Sequence, residues 1–282
     1  MVNPLTFSTL ACPHWSIQTI VNNAVAYGYD GVEWRGDRRG TLILHSKEPI
    51  EKSWQGQCKW QNLISTLESP LTTSFVFRRN IDERNRNVGE LCQYAELAAD
   101  IDAGHVRAFL GELPINSPPN PKIHPQIAEC LLRAADYAQT LGVTIAVEPH
   151  DDFISSPIVA SILDLALHPA LKVIWDVGNT YAIGETPRDG LTHLGKRLAY
   201  VHLKDGWGQG DDWQLGLFGQ GEVPLSEIIR LLLAQPFNGA FNVEWEWAWH
   251  PDLDPPEVAL PHAAMILRSF LMKQNSQGAI SI

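Results

Sequence analysis

The chain has 282 residues, of which 45% are hydrophobic and 19% charged, an ordinary composition for a globular protein that excludes the intrinsically disordered class. Its 32 acidic and 21 basic residues give a formal charge of −11, which opposes nucleic-acid binding because phosphates are also negative. The four cysteines lack C-x-x-C spacing, which argues against zinc-thiolate sites and disulfide frameworks and favours a cytoplasmic location. Neither a signal-peptide pattern nor an apolar run of about 18 residues occurs, so no membrane association is expected.

Short β-branched or aromatic runs alternate with stretches of helical apolar spacing, the pattern of repeated βα units. Eight strands are predicted near residues 5–10, 31–35, 71–77, 105–109, 144–149, 172–177, 198–204 and 240–246. Helices are predicted near residues 16–27, 50–67, 82–100, 123–140, 157–166, 187–196, 225–234 and 256–272, with Pro157 and Pro187 as start signals. The first strand is not followed by G-x-G-x-x-G, and no composition shift divides the chain. We therefore expect an α/β fold, a (β/α)8 TIM barrel, as one domain over residues 1–282.

Polar residues stand near the ends of four successive predicted strands, where apolar residues would be ordinary. A barrel brings its strand ends together at one mouth, where three carboxylates repel one another unless a cation compensates them. One imidazole with three carboxylates is a ligand set for a divalent ion such as Mn²⁺, Mg²⁺, Co²⁺ or Zn²⁺. The alternative for each residue taken singly is a solvated rim position. The predicted metal ligands are Glu148, Asp176, His202 and Glu244.

Residues two positions further along each strand share its inward face. A substrate layer above the metal is thus predicted from His150, Lys204 and Glu246, with a gap at Gly178. Such a layer suits a small polyhydroxy substrate. Two alternatives remain open: His150 orients Glu148 or a loop, and Lys204 forms a salt bridge with Asp205 or Glu246. Asp205 itself is expected to cap or solvate the Gly-rich loop at 207–221, which we interpret as a lid.

The first half of the chain adds three predicted substrate-binding residues. Glu33 shares a face of the second strand with Arg35, and the pair points either inward or forms a surface ion pair. Arg107, on the fourth strand, could bind a phosphate, carboxylate or hydroxyl group, or pair with Glu33. His14 follows the first strand and lies at the active-site end of a barrel, although a loop histidine is a weak indication of function.

Over nearly its whole length the sequence resembles the sugar phosphate isomerase/epimerase family of xylose isomerase-like TIM barrels. The resemblance is carried, in order, by GYDGVEWR at 28–35, VEPHDD at 147–152, WDVGNTY at 175–181, GETP at 184–187, VHLKD at 201–205, GQGEVPL at 219–225 and NGAFNVEWEW at 238–247. The resemblance implies one divalent metal ion, often Mn²⁺, bound by the four predicted ligands. It also implies that Glu148 and Glu244 exchange protons with carbon, through a metal-stabilised enediolate of an open-chain sugar.

The predicted function is therefore a metal-dependent isomerase or epimerase of a small sugar or sugar phosphate. Asn179 stands where tagatose epimerases carry a histidine, which puts free-ketose C3 epimerisation in question. The main alternative is a metal-dependent dehydratase (lyase) of a polyhydroxy ketone such as a keto-inositol or dehydroshikimate, with His150 or Lys204 assisting the leaving hydroxyl.

Two further alternatives come from other functional classes. A three-zinc nuclease like endonuclease IV is disfavoured by the negative charge and by the DVGN sequence ending the sixth strand. A non-catalytic sugar-binding barrel is disfavoured by the presence of all four ligands. The expected partner is a small-molecule sugar, and the ten tryptophans leave a homodimer open.

Overall fold

The computed structural model of the protein describes residues 3–35, 64–68, 80–111, 113 and 120–278. Within them, eight parallel strands close into one barrel, and two short antiparallel strands form a separate ribbon. The strands are β1 Leu5–Ser8, β2 Gly31–Arg35, β3 Ile64–Glu68, β4 Ala103–Phe109, β5 Thr144–Glu148, β6 Leu171–Asp176, β7 Leu198–Leu203, β8 Asp205–Trp207, β9 Gln214–Gly216 and β10 Phe241–Val243. The barrel strands neighbour one another in chain order, and β1 closes the barrel by pairing with both β2 and β10. The predicted α/β TIM barrel is confirmed.

Helices connect most of the strands. They are α1 Ile17–Tyr27, α2 Ile81–Asp100, α3 His124–Thr140, α4 Ser156–Leu163, α5 Val177–Ala182, α6 Pro187–Leu194, α7 Leu225–Leu233 and α8 Pro256–Gly278. All except α5 lie close to predicted ranges. The start of α6 shows why the sequence signal works: Thr186 and Asp189 form a reciprocal capping box around Pro187. None of the described helices is long and apolar enough to cross a membrane.

The barrel interior has an apolar layer below a polar one. Ala146, Ile174, Tyr200 and Ala240 form a small buried cluster of their own. Each of the first three lies two residues before a predicted metal ligand, so it shares that ligand's inward face. The large core cluster packs between the strands and the helices and includes Trp175 and Trp245. The apolar layer and the outer core together fix the strand ends that carry the polar side chains.

The third strand differs from the expectation. Residues 71–77 lie outside the described residues, and the strand that occupies the third position in the barrel is Ile64–Glu68, paired with β2 and β4. Residues 64–67 fall within the predicted helix at 50–67, whose remainder also lies outside the described residues. The error has a physical source: Leu63, Ile64 and Leu67 repeat at helical spacing, and five residues are too few to show a strand period clearly.

The Gly-rich segment interpreted as a lid contains the β8–β9 ribbon, tied down by the buried carboxylate of Asp205. Its two oxygens accept hydrogen bonds from four backbone amides, those of Gly206, Gly219, Gly221 and Val223, at 2.7–3.3 Å. The predicted capping role of Asp205 is confirmed. The ribbon follows β7 directly, so Asp205 anchors this segment at the same end of the barrel as the strand-end polar residues.

Candidate metal centre

The four predicted ligands meet at the carboxyl end of the barrel. Glu148 and Asp176 end β5 and β6, His202 is the penultimate residue of β7, and Glu244 follows β10 directly. The strand register places Asp176 beside His202, and Asn242 pairs with His202 from the other side. One ligand atom from each of the four residues lies within 4.8 Å of the others, and all four side chains are buried.

The orientation of each side chain leaves donor atoms facing this common point. His202 Nδ1 lies 3.7 Å from Glu148 Oε1 and 3.3 Å from Glu244 Oε2. Asp176 caps the N-terminus of α5, because its Oδ1 accepts a hydrogen bond of 2.9 Å from the Asn179 amide. This capping hydrogen bond fixes the orientation of the Asp176 carboxylate and leaves its second oxygen, Oδ2, facing the other three candidate ligands.

The donor atoms fit a divalent ion. Within the described residues, Glu148 Oε1, Asp176 Oδ2, His202 Nδ1 and Glu244 Oε2 are buried and make no hydrogen bond of good geometry. The Lys204 ammonium lies near two of them, 2.8 Å from Asp176 Oδ2 and 2.9 Å from Glu244 Oε2. Buried polar atoms are normally paired, so four converging atoms with so few hydrogen bonds could accept a shared cation. Three carboxylate oxygens and one imidazole nitrogen suit a divalent cation of intermediate hardness.

Arg107, on β4, lies between the two glutamates. Its Nε contacts Glu148 Oε2, and its Nη1 lies 3.0 Å from Glu244 Oε1. In each glutamate, one carboxylate oxygen lies near His202 Nδ1, and the guanidinium contacts the other oxygen. Burial raises the pKa of Glu148, but the charges of Arg107 and His202 outweigh burial and hold it at about 2. Both carboxylates are therefore ionised, and Arg107 forms an ion pair with each of them.

Lys204 fills the gap that was predicted at Gly178. Its buried Nζ lies 2.8 Å from Asp176 Oδ2 and 2.9 Å from Glu244 Oε2, and it also contacts Glu246. A Cβ added at Gly178 would lie 2.8 Å from Lys204 Cβ, so only glycine admits this lysine. The alternation of inward and outward side chains along a strand does not extend to Gly178, because β6 ends at Asp176 and Gly178 belongs to α5.

The shifts in pKa report a site crowded with negative charge. Burial, with the nearby Glu244 and Glu148 charges, raises the pKa of Asp176 to about 7 even though Lys204 opposes the shift. Burial lowers the pKa of His202, but the charges of Glu244 and Glu33 outweigh it and raise the value well above the usual range. The site therefore favours added positive charge.

The remaining predicted substrate residues lie on the segments that follow β5, β10 and β1. His150 is 30% exposed, and its Nδ1 lies 2.7 Å from Asp151 Oδ1. Glu246 is 20% exposed and contacts Lys204. His14 is exposed and packs edge-on against Trp247, with the ring centroids 5.7 Å apart. All three are at the carboxyl end of the barrel, and all three are reachable from solvent, unlike the buried ligands.

The Glu33 side chain is fully buried inside the barrel and therefore does not form a surface ion pair. Its Oε2 lies 2.9 Å from His202 Nε2 and accepts a hydrogen bond of 2.6 Å from the Tyr200 hydroxyl. Its Oε1 accepts a 3.4 Å bond from the Asn242 side-chain amide. Tyr200 and Asn242 were not among the site residues predicted from the sequence. Their signal was the period of two, since each precedes a predicted ligand by two residues on the same strand face.

Comparisons with known proteins place this site in context. The family described as xylose isomerase-like TIM barrel matches residues 21–270. A search of curated proteins finds no match. Among solved structures, an L-ribulose 3-epimerase is similar with a TM-score of 0.80 and 15% identity, covering 99% of this chain and 98% of that one.

Two other similar structures differ in their described roles. The probable 3-DHS dehydratase AsbF, involved in petrobactin synthesis in Bacillus anthracis, has a TM-score of 0.75 and 17% identity, covering 94% of this chain and 98% of that one. The IOLI protein with a bound zinc atom has a TM-score of 0.74 and 17% identity, covering 96% and 99%. At such identities these likenesses establish the fold alone.

Proposed function

The chain belongs to the xylose isomerase-like TIM barrel family, and from that premise and its buried site we propose that it is a divalent-metal-dependent isomerase or epimerase of a small sugar or sugar phosphate. The observation that carries the proposal is the buried cluster of three carboxylates and one imidazole whose ligand atoms converge at the strand ends. The similarity to an L-ribulose 3-epimerase over almost the full length of both chains supports it.

The proposed metal ligands are Glu148, Asp176, His202 and Glu244. Mn²⁺ is the first choice of ion, with Mg²⁺, Co²⁺ and Zn²⁺ as alternatives, and the bound zinc of the similar IOLI protein favours testing zinc as well. When bound, the ion supplies Lewis-acid stabilisation of negative charge that develops on a substrate oxygen.

Proton transfer is proposed for Glu148 and Glu244. They come from β5 and from the end of β10, so they approach the site from different strands. Burial would favour their protonated forms, but for both the neighbouring cations outweigh burial and lower the pKa. Both glutamates are thus in the ionised form that accepting a proton from carbon requires, Arg107 holds them in place, and the protonated form can return the proton. Arg107 is accordingly proposed to orient the two glutamates and not to contact the substrate.

Substrate binding is proposed for His150, Lys204, Glu246 and His14. Their ammonium, imidazole and carboxylate groups could donate to or accept from the hydroxyl groups of a sugar. Lys204 joins this layer to the metal site, since one ammonium group contacts Asp176, Glu244 and Glu246. A cytoplasmic location and a homodimer remain predictions, the second of which sedimentation analysis would test.

Isotope exchange tests the proposed function directly. Protein with Mn²⁺ is incubated in D₂O with a panel of ketoses and ketose phosphates, and NMR follows deuterium incorporation at carbon. Exchange with at least one substrate is expected, and it should disappear in Glu148→Gln, which keeps the size of the side chain but cannot take up the proton. Metal-loaded protein that exchanges no carbon-bound hydrogen with any substrate would refute the proposal.

A dehydratase is the second candidate, favoured by the similarity to AsbF and by Asn179 in place of the histidine of tagatose epimerases. Such an enzyme must protonate a leaving hydroxyl. Lys204 is a poor donor, because Asp176 and Glu244 outweigh burial and raise its pKa well above the usual range. His150 is better suited, since Asp151 outweighs burial and raises its pKa while leaving the ring partly exposed. Growth of conjugated-enone absorbance with a polyhydroxy ketone, lost in His150→Gln, would favour this candidate.

A further inference from the structure

Among the residues that the structure describes, Glu33 is the acid buried inside the barrel that is not a proposed metal ligand. It is on β2, which pairs with none of the strands that carry the four ligands, and is 0% exposed. Isolated buried carboxylates are costly, so its retention requires specific partners. The nearest of them is a proposed ligand: Glu33 Oε2 lies 2.9 Å from His202 Nε2.

The two ring nitrogens of His202 face different groups. Nδ1 points toward Glu148 and Glu244, and Nε2 points toward Glu33. A neutral imidazole carries one proton, and a carboxylate can only accept a hydrogen bond. The contact with Glu33 therefore favours the proton on Nε2, which leaves the Nδ1 lone pair directed at the metal position.

Glu33 is itself held from two other strands. The Tyr200 hydroxyl donates to Oε2 at 2.6 Å, and the Asn242 amide donates to Oε1 at 3.4 Å. The Asn242 carbonyl accepts a 2.7 Å hydrogen bond from the Thr6 hydroxyl, which fixes the orientation of the amide. Side chains from β1, β2, β7 and β10 thus share one buried network that ends on His202.

We propose that Glu33 is a positioning residue that fixes the Nε2–H tautomer and the ring orientation of His202, and so sets the metal affinity of the centre. The inference rests on the proposed metal-dependent function. It replaces the expected substrate contact of Glu33, because the carboxylate meets His202 on the side of the ring opposite the other ligands. Tyr200 and Asn242 support Glu33 in this role.

The test compares metal affinity in Glu33→Gln with that in wild-type protein. Outer partners of a metal-bound histidine typically contribute about 10–100-fold in affinity, so a loss in this range is expected for Mn²⁺ in competition with a chromophoric chelator. Glu222→Gln removes the same charge at an exposed position and is the matched control, with affinity expected to equal that of wild type. Circular dichroism and thermal melting verify that the variants fold.

A second readout follows the tautomer. With ¹⁵N-histidine labelling and Zn²⁺ loading, NMR should show the proton of His202 on Nε2 in wild type and a weakened Nε2–H signal in Glu33→Gln. If that variant does not fold, Glu33→Asp, which withdraws the carboxylate by one carbon, should still weaken Mn²⁺ binding by roughly tenfold. Affinity within about twofold of wild type in the folded variant, or an Nε2–H signal unchanged from wild type, would overturn the inference.

The outcomes separate this inference from the proposed function. Wild-type protein that binds Mn²⁺ but exchanges no deuterium, combined with weak binding by Glu33→Gln, supports the inference and overturns the proposed reaction. Wild-type protein that binds no divalent ion overturns both.

Discussion

Replacing Lys204 by methionine removes the ammonium group on which three carboxylates converge. Lys204 is 3% exposed, and its Nζ lies 2.8 Å from Asp176 Oδ2 and 2.9 Å from Glu244 Oε2, with Glu246 also in contact. Methionine keeps much of the aliphatic stem that packs over Gly178, so the change is mainly one of charge. Without bound metal, Asp176 and Glu244 then lose their closest shared cation.

The expected cost follows from the burial of these groups. Removing one partner of a buried ion pair typically destabilises a protein by about 3–5 kcal/mol. Because the pKa of Asp176 is about 7, this carboxyl can take up a proton at neutral pH, which places the expected loss near the lower end. A loss of about 3 kcal/mol lowers the Tm of a protein of this size by roughly 6–12 °C.

Thermal melting with a chelator and with saturating Mn²⁺ provides the assay. The variant should melt lower than wild type with the chelator, and its Tm should rise more on addition of Mn²⁺, because the ion no longer competes with an ammonium group for Asp176 and Glu244. Lys196→Met is the control, since Lys196 is exposed and its replacement should change stability by less than about 0.5 kcal/mol. Equal Tm values for both variants in chelator would refute the electrostatic reasoning.

The remaining predictions concern the ligand set, packing and pH. Glu244→Gln should abolish turnover and weaken Mn²⁺ binding by more than about 100-fold, the upper range for residues that only hydrogen-bond to a metal ligand. Glu246→Gln should mainly change substrate affinity. Calorimetric titration of Mn²⁺ measures the first effect, and KM measures the second. Gly178→Ala should destabilise the protein by about 1–3 kcal/mol, measured in urea, because the new Cβ would lie 2.8 Å from Lys204 Cβ. Burial lowers the pKa of His105 to about 4, so the free energy of unfolding should fall as the pH drops from about 6.5 toward 4, and His105→Gln should reduce that slope.

The positions of the four predicted ligands could be read from the sequence because parallel strands end at one edge. Once eight strands alternate with helices, barrel closure brings Glu148, Asp176, His202 and Glu244 together regardless of their separation in the chain. Strand parity then gives their inward direction. The period of two stops being informative where a strand ends, and so Gly178, which was expected to continue the inward face of the sixth strand, lies in α5.

Side-chain partners across the barrel could not be predicted in the same way. Arg107 and Glu244 are separated by 137 residues, and Glu33 and His202 by 169. Which inward side chains touch depends on the stagger between strands, and the register shifts within the β3–β4 and β6–β7 pairs are not visible in the sequence. The sequence therefore predicted the four candidate ligands and a further set of inward polar residues, but not which of these further residues contact which ligand.

Charge balance within the barrel explains why a divalent ion suits this site. Among the described residues, four carboxylates lie buried inside the barrel, those of Glu33, Glu148, Asp176 and Glu244. They are buried together with the positively charged side chains of Arg107 and Lys204 and with His202. When His202 is neutral, as a metal ligand must be, two negative charges remain uncompensated. Besides the effects of burial, the raised pKa values of Asp176 and His202 share one cause, because the Glu244 charge beside both groups favours added positive charge. A divalent cation supplies the missing two charges, whereas a monovalent ion would leave one carboxylate uncompensated in a buried environment.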